Sequence, residues 1–110
     1  MKLIHNKILP TKGFKAINLF GIIFVRKGLY MSKEDINHER IHTRQMLEML
    51  IIFFYLFYLI EWIVKLIYYK NTIVAYRNLS FEREAYFHEK NLYYLKMRKP
   101  YEWRKLIRLK

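Results

Sequence analysis

The chain has 110 residues, a formal net charge of +12 and no cysteine. This length suits one domain, so we expect residues 1–110 to fold as a single unit. The absence of cysteine excludes disulfide bonds and thiolate zinc sites, so a metal would need histidine and carboxylate ligands. With 54% hydrophobic and 18% aromatic residues, the composition is heavy for a small soluble domain and favours contact with a membrane.

The positive charge is concentrated at the two ends of the chain. Residues 1–31 contain six Lys or Arg and no acid, and residues 90–110 contain eight Lys or Arg and one acid. Residues 32–89 are nearly balanced, with eight acids and seven basic residues. Basic ends predict contact with an anionic membrane surface, although a solvated surface explains them equally well. We expect no specific nucleic-acid partner, because only the charge favours one.

The first ten residues show no secretory signal, since they lack an apolar run followed by a cleavage site. We therefore expect a cytoplasmic protein that associates with a membrane. A chain of 110 residues can form only a shallow binding cleft unless a second copy completes it. We therefore also expect a homo-oligomer.

Residues 1–31 predict a short β element. Residues 10–13, Pro-Thr-Lys-Gly, have the composition of a turn. Residues 14–26 are rich in Ile, Phe and Val, with Gly21 inside, and fit either one bent strand or a hairpin.

Residues 32–70 predict two helices. Ser32 and Asp35 form a capping-box pattern that starts the first helix, which runs towards Met49. Residues 46–69 are apolar enough to suggest a transmembrane helix. However, Tyr, Trp and Lys residues recur at helical spacing, and they include a Glu61–Lys65 pair. We therefore expect a core or interfacial helix that does not cross the bilayer, with a bend near residues 49–54.

Residues 71–110 predict a connection, a helix and a basic tail. The connection covers residues 71–78 and includes a short helical turn. Ser80 is the expected N-cap of a last long helix, Phe81–Met97, and Pro100 ends it. The predicted fold class is α+β, mostly α.

The segment His38-Glu39-Arg40-Ile41-His42 reads H-E-x-x-H. His38 and His42 are four residues apart, so they share one helix face and can bind one Zn²⁺ together. Glu39 is placed to take a proton from a zinc-activated water. The same five residues occur in many proteins that are not enzymes, and two chance histidines on a polar face are the alternative interpretation.

A zinc hydrolase of this kind needs a third protein ligand. Glu82 and Glu84, early in the last predicted helix, are better placed than His5 or His88. The chain here resembles the gluzincin-type metallopeptidases, in which H-E-x-x-H is followed on a later helix by E-x-x-A-D. The resemblance is closest to small single-domain members with E-R-E-A after H-E-x-x-H-x-x-Q. It covers residues 34–90, with the motifs at His38–Gln45 and Phe81–Tyr86.

This resemblance implies a zinc-dependent peptidase acting on a peptide or protein substrate. It makes His38 and His42 ligands, Glu39 the general base, and Glu82 the third ligand because Glu82 begins E-x-x-A. Tyr86 stands where the family has Asp, which leaves the support of the ligand histidines unassigned.

A second register uses Glu84 as the third ligand, with His88 supporting it. Glu82 and Glu84 point about 200° apart on a helix, so only one of them can face the site. The other glutamate and Glu89 are expected to be surface partners of Arg or Lys. Gln45 is expected either to line the cleft or to face solvent.

The competing function is a non-catalytic, membrane-associated basic protein. In that interpretation residues 46–69 insert into the membrane, and H-E-x-x-H is a coincidence or a relic. The zinc content of the protein distinguishes the two functions, because the enzyme needs about one ion per chain.

Overall fold

A computed structural model describes residues 2–7 and 14–109. The fold is α+β and mostly α, as the sequence predicts. The turn expected at residues 10–13 lies outside the described residues. In chain order the elements are β1 (Lys2–Asn6), β2 (Ala16–Leu19), β3 (Ile22–Arg26), α1 (Lys33–Glu48), α2 (Ile52–Tyr69), α3 (Thr72–Arg77), α4 (Ser80–His88), α5 (Tyr94–Met97) and a C-terminal 3-10 helix (Glu102–Leu106).

The three strands form one sheet in the order β1-β3-β2. β2 and β3 are an antiparallel hairpin in which Leu19 pairs with Ile22. Phe20 and Gly21 make the turn with φ angles of 56° and 89°, the left-handed geometry that suits two-residue hairpins. Of the two alternatives for residues 14–26, one bent strand or a hairpin, the structure shows the hairpin. β1 pairs in parallel with β3 and lies within the β element predicted over residues 1–31, although no separate strand was placed there.

α1 begins on the predicted capping box. Ser32 Oγ accepts a hydrogen bond from Asp35 N at 3.1 Å, and Asp35 Oδ2 accepts one from Ser32 N at 3.0 Å. After α1, Leu50 and Ile51 adopt left-handed φ angles of 54° and 61°. They reverse the chain so that α2 packs back on α1, which confirms the bend expected at residues 49–54.

α1 lies at the centre of the fold and packs against β2, α2 and α4. It contributes side chains to three separate apolar clusters, so it is held from three directions. Each fully buried aliphatic or aromatic side chain contributes about 1.5–3 kcal/mol to such a core. The buried members are Met46, Phe54, Phe81 and Trp103; Ile23, Val25 and Met31; and Ile41, Ala85 and Tyr94.

α2 carries polar side chains on its inner face. Glu61 accepts hydrogen bonds from Ser80 N at 3.0 Å and Ser80 Oγ at 2.8 Å. The predicted Glu61–Lys65 pair is present at 3.1 Å and is buried. Lys65 also donates to the carbonyl oxygen of Asn78. Among the described residues, α2 is the one helix long and apolar enough to cross a membrane by length and composition, and 17% of it is buried.

The start of α4 and the connection before it differ from the prediction in detail. The N-cap of α4 is Leu79, not Ser80, and its own side chain makes no cap. Glu61 of α2 satisfies the first turn instead, because a carboxylate is favourable at a helix N-terminus. The short helical turn expected within residues 71–78 is α3 (Thr72–Arg77), and Asn71 caps its N-terminus.

The last long helix expected over Phe81–Met97 is wrong in extent. α4 ends at His88, and an irregular stretch separates it from α5. Asn37 Nδ2 donates to the carbonyl oxygen of Glu89 at 2.8 Å and to two neighbouring carbonyls. The carbonyl oxygens of His88 and Asn91 also accept backbone bonds from Asn91 N and Tyr94 N, three residues on, as in turns. Asn37 thus holds this stretch as turns instead of a continued α-helix, and α4 stops there.

Candidate metal centre

Three side chains from α1 and α4 bring one ligand atom each to a common point. His38 Nε2 lies 3.1 Å from Glu82 Oε1, His42 Nε2 lies 3.0 Å from the same oxygen, and the two Nε2 atoms are 3.2 Å apart. All three residues are buried. They are the one group of three or more such ligands in the part of the chain described, and they can hold a metal ion.

Hydrogen bonds at the far side of each imidazole determine where its proton is. His38 Nδ1 lies 2.8 Å from the Glu89 carboxylate, which can only accept, so Nδ1 donates. His42 Nδ1 lies 2.8 Å from Gln45 Oε1. The Gln45 amide is fixed in this orientation, because its Nε2 donates to Phe81 O at 3.1 Å and to Glu84 Oε1 at 2.9 Å. Both Nε2 atoms therefore direct lone pairs at the common point when the imidazoles are neutral.

Three electron-rich atoms so close together repel one another unless a cation or protons lie among them. Burial alone lowers the pKa of His38, but the Glu82 and Glu89 carboxylates outweigh it and raise that pKa to about 10. The pKa of His42 is also raised, since Glu82 again outweighs burial. The same histidines hold the pKa of Glu82 well below its usual range, although burial opposes them. In the metal-free protein, protons therefore balance the charge.

The donor set also fits a metal ion. A tetrahedral zinc site with bonds of about 2.0–2.1 Å has ligand atoms roughly 3.3 Å apart, close to the separations found here. Two imidazoles and one carboxylate are the ligands of an open, catalytic type of zinc site. Nδ1 of His38 and of His42 each donates a hydrogen bond, so Nε2 is the nitrogen left to bind a metal. Metal-binding histidines are usually held in this way.

The second oxygen of Glu82 is held by Tyr58. Tyr58 Oη donates to Glu82 Oε2 at 2.7 Å. Burial, together with the nearby Glu82, raises the pKa of Tyr58 well above its usual value, so the phenol stays protonated and remains a donor. Tyr58 is one of the Tyr, Trp and Lys residues that recur at helical spacing along α2. No sequence motif indicates that it holds Glu82.

Glu39 lies on the wall of a cleft that His42 and Glu82 also line. Burial raises the pKa of the Glu39 carboxyl, and His42 and His38 oppose that rise. Asn18 of β2 fixes the helix at this point, because its Nδ2 donates to Glu39 O at 3.0 Å and to Thr43 Oγ1 at 2.9 Å. β2, Glu39, His42 and Glu82 are therefore held in fixed positions relative to one another.

The cleft has a volume of about 790 Å³ and lies between β2, α2 and α3. Its walls are mostly apolar, and the polar residues gather at the metal centre. The apolar lining includes Ile17, Leu19, Phe54, Leu59, Trp62 and Ile73.

Glu84, the other candidate ligand, belongs to a different cluster. Its carboxylate binds Arg98 and accepts a hydrogen bond from Tyr94 Oη at 2.8 Å. Arg98 in turn contacts Glu48 at 2.7 Å. His88 stacks on Tyr94 with ring centroids 3.7 Å apart. The structure therefore brings Glu82 to the histidines and places Glu84 in a separate, arginine-bound cluster.

Two expectations about neighbouring residues are wrong. Glu84 pairs with an arginine, Arg98, but is fully buried rather than at the surface, and Glu89 binds His38 rather than Arg or Lys. Gln45 is also fully buried, so it does not face solvent. Tyr86, which stands where the family has Asp, packs edge-on against the His38 ring at 4.4 Å. The support of His38 therefore comes from Glu89.

Sequence reasoning missed Glu89 although a signal was present. Glu82 and Glu89 are seven residues apart, and positions seven apart share a helix face. Asn18 and Asn37 gave no such signal, because their partners lie on elements distant in sequence.

The chain matches no protein-family model, no curated protein and no solved structure in the comparisons made. The resemblance to gluzincins therefore depends on the residues at positions 38–42 and 82–85 and on the arrangement of their side chains.

Proposed function

We propose that the protein is a zinc-dependent peptidase. The observation that carries this proposal is the convergence of three buried ligand atoms, 3.0–3.2 Å apart. The two imidazoles are turned towards that point by hydrogen bonds at their far nitrogens. A site with only a structural role needs no acid beside it on the wall of an open cleft, whereas Glu39 lies on such a wall.

The ion, when bound, supplies Lewis-acid activation of a water molecule and of the substrate carbonyl. Glu39 accepts a proton from the water and later delivers it to the leaving amine. In the metal-free protein, burial raises the pKa of the Glu39 carboxyl, which is the direction that favours a carboxylate as a general base. Tyr58 orients Glu82, and Glu89 and Gln45 orient the two histidines.

The form of the cleft favours an extended peptide as substrate. The four residues of β2, Ala16–Leu19, line it, and β2 is one of the two edge strands of the described sheet. A peptide laid along such an edge can pair its backbone with the strand. The apolar walls favour aliphatic or aromatic side chains on either side of the cleaved bond.

The test is hydrolysis of a library of quenched fluorescent peptides with apolar residues around the central bond. We expect cleavage by the zinc-loaded protein and none after chelation. Glu39→Gln is the matched control, because it removes the base and leaves every ligand. It should keep the zinc and lower the rate by about 10²–10⁴-fold. Full activity in Glu39→Gln, or cleavage unaffected by the chelator, would contradict the mechanism.

A further inference from the structure

The polarity of α2 is inverted relative to that of an ordinary surface helix. Glu61 and Lys65 are 7% and 2% exposed and face the protein, whereas large apolar side chains face outward. We call these nine side chains the outward face. They are between 45% and 74% exposed, and they are Ile52, Phe53, Leu56, Leu59, Ile60, Ile63, Val64, Ile67 and Tyr68.

The outward face extends beyond the helix. Leu47 and Leu50, just before α2, are 62% and 72% exposed. Ile107 and Leu109 of the tail share a groove with Ile60 of α2. Soluble monomers seldom expose a contiguous apolar surface of this size without a partner.

We propose that the outward face docks on an anionic lipid bilayer, with α2 lying in the plane of the membrane surface. A helix that has one strongly apolar face, with basic residues next to that face, binds at the boundary between lipid headgroups and acyl chains.

The contacts of the inner face exclude a transmembrane orientation of this fold. Tyr55 Oη donates to Asn18 O at 3.1 Å near the start of α2, and Tyr58 contacts Glu82 one turn later. Glu61 contacts Ser80 at the start of α4, Lys65 contacts Asn78 two residues before it, and Tyr69 reaches the tail. The rest of the protein therefore packs along most of the length of α2. If α2 spanned the bilayer, the sheet and charged surface would enter the hydrocarbon with it.

Charge favours lipid over a second copy of the chain. Each chain carries a net charge of +12, so two copies repel each other, whereas anionic headgroups attract both the chain and its basic ends. Basic residues also lie next to the apolar surface. Lys70 caps α2, and Arg104 and Lys105 precede the tail residues that adjoin it; all three are exposed.

The docked orientation also places the cleft. Leu59 belongs to the outward face and lines the cleft, and Ile73 of the cleft wall is 43% exposed. The cleft therefore opens at the margin of the docking surface. If the proposed peptidase function holds, this inference names the substrate class, which is a peptide segment at the membrane interface.

The experiment is flotation with vesicles of phosphatidylcholine alone or mixed with phosphatidylglycerol. The full chain should bind the anionic vesicles and bind the neutral ones weakly. Leu56→Glu/Ile60→Glu should weaken binding about tenfold or more, because both residues lie on the outward face. Phe87→Glu/Met97→Glu is the matched control. It makes the same charge change at two exposed apolar residues outside α2 and should weaken binding less than about threefold.

Several results would overturn the inference. One is that the full chain does not bind anionic vesicles. The others are that the two double variants lose vesicle binding equally, or that neither loses any. A dimer in solution that Leu56→Glu/Ile60→Glu dissociates, without vesicle binding, would assign the face to a second copy. His42→Ala separates this inference from the proposed function, since it should lose zinc and bind vesicles as the unchanged chain does. Loss of vesicle binding in His42→Ala, with its fold intact, would also count against docking through α2.

Discussion

Two buried polar clusters lie side by side in this protein, and they differ in the source of their positive charge. In one, Glu84 is bound by Arg98, which also holds Glu48. In the other, Glu82 faces His38 and His42. Gln45 joins the clusters, because its amide bonds to Glu84 and its carbonyl oxygen faces His42.

The difference separates a structural cluster from one that can exchange its cation. A guanidinium keeps its proton in proteins, so the charge opposite Glu84 is permanent. Buried carboxylates also raise the pKa of Arg98 above its usual value, although burial opposes them. The imidazoles opposite Glu82 can release their protons, and a metal can take their place. Two glutamates two residues apart on α4 thus have different chemistry because they face different neighbours.

The largest expected effect comes from removing each glutamate in turn. Glu82→Ala should weaken zinc binding about a thousandfold or more, because only two ligands remain. Glu84→Ala should leave zinc affinity nearly unchanged and lower the free energy of unfolding by about 1.5–3 kcal/mol, since Arg98 keeps Glu48 but loses its hydrogen bonds to Glu84. Zinc titration against a competing chelator and denaturant unfolding measure the two effects.

The reverse order of zinc affinities would assign the ligand role to Glu84. Equal, small effects in both variants would mean that α4 does not contribute a ligand. Glu84→Gln, which keeps the size of the side chain, serves as the milder variant if Glu84→Ala does not fold.

A smaller effect is expected from the hydrogen bond that orients His38. Glu89→Ala removes the acceptor of the His38 Nδ1 proton and should weaken zinc binding by about 10–100-fold. Glu102→Ala is a suitable control, because the ion pair of Glu102 within the described residues is with the exposed Lys105, three positions on. An unchanged zinc affinity in Glu89→Ala would show that the tautomer of His38 does not depend on this contact.

The smallest effect concerns pH. Folded, metal-free protein keeps the His38 proton up to a pKa of about 10, and the unfolded chain releases it near 6.5. Between these values the folded state binds more protons, so raising the pH should lower its free energy of unfolding. The contribution of the His38 proton to the free energy of unfolding is fully present below pH 6.5 and is lost as the pH rises towards 10.

Zinc should remove this decline, because the bound ion replaces the proton. Denaturant unfolding at several pH values, with zinc or with chelator, makes the comparison. Metal-free His38→Ala should show a flatter dependence than the unchanged metal-free chain. An equally flat curve for the two would contradict the assigned protonation.

The local parts of this structure were predictable because local chemistry determines them. The capping box at Ser32 and Asp35 depends on residues three apart. The bend after α1 was expected for a different reason, because a helix that does not cross a bilayer must pack back on the protein, and no local signal marks Leu50 and Ile51, where it occurs. His38 and His42 share a face through helix periodicity alone. Motif resemblance pointed to Glu82, and the structure places it beside them.

The remaining features depend on partners far apart in the chain. Arg98 binds both Glu84 and Glu48, and Glu48 lies 50 residues before Arg98 in the chain, so no local pattern predicts that contact. Asn37 ends α4 from another helix, which is why a continuous helix to Met97 was the wrong expectation. β1 pairs with β3 across residues 8–13, which the structure does not describe. Tertiary contacts of this kind override local propensity.

The most direct test of the central claim is the metal content of the purified full chain beside that of His38→Ala. Both proteins are exposed to excess zinc, freed of unbound ions by gel filtration and analysed for metal and protein. We predict about one zinc per chain in the unchanged protein and less than about one tenth in the variant. Zinc below one tenth in the unchanged chain, or equal zinc in the two proteins, would contradict the claim that His38, His42 and Glu82 form a metal centre.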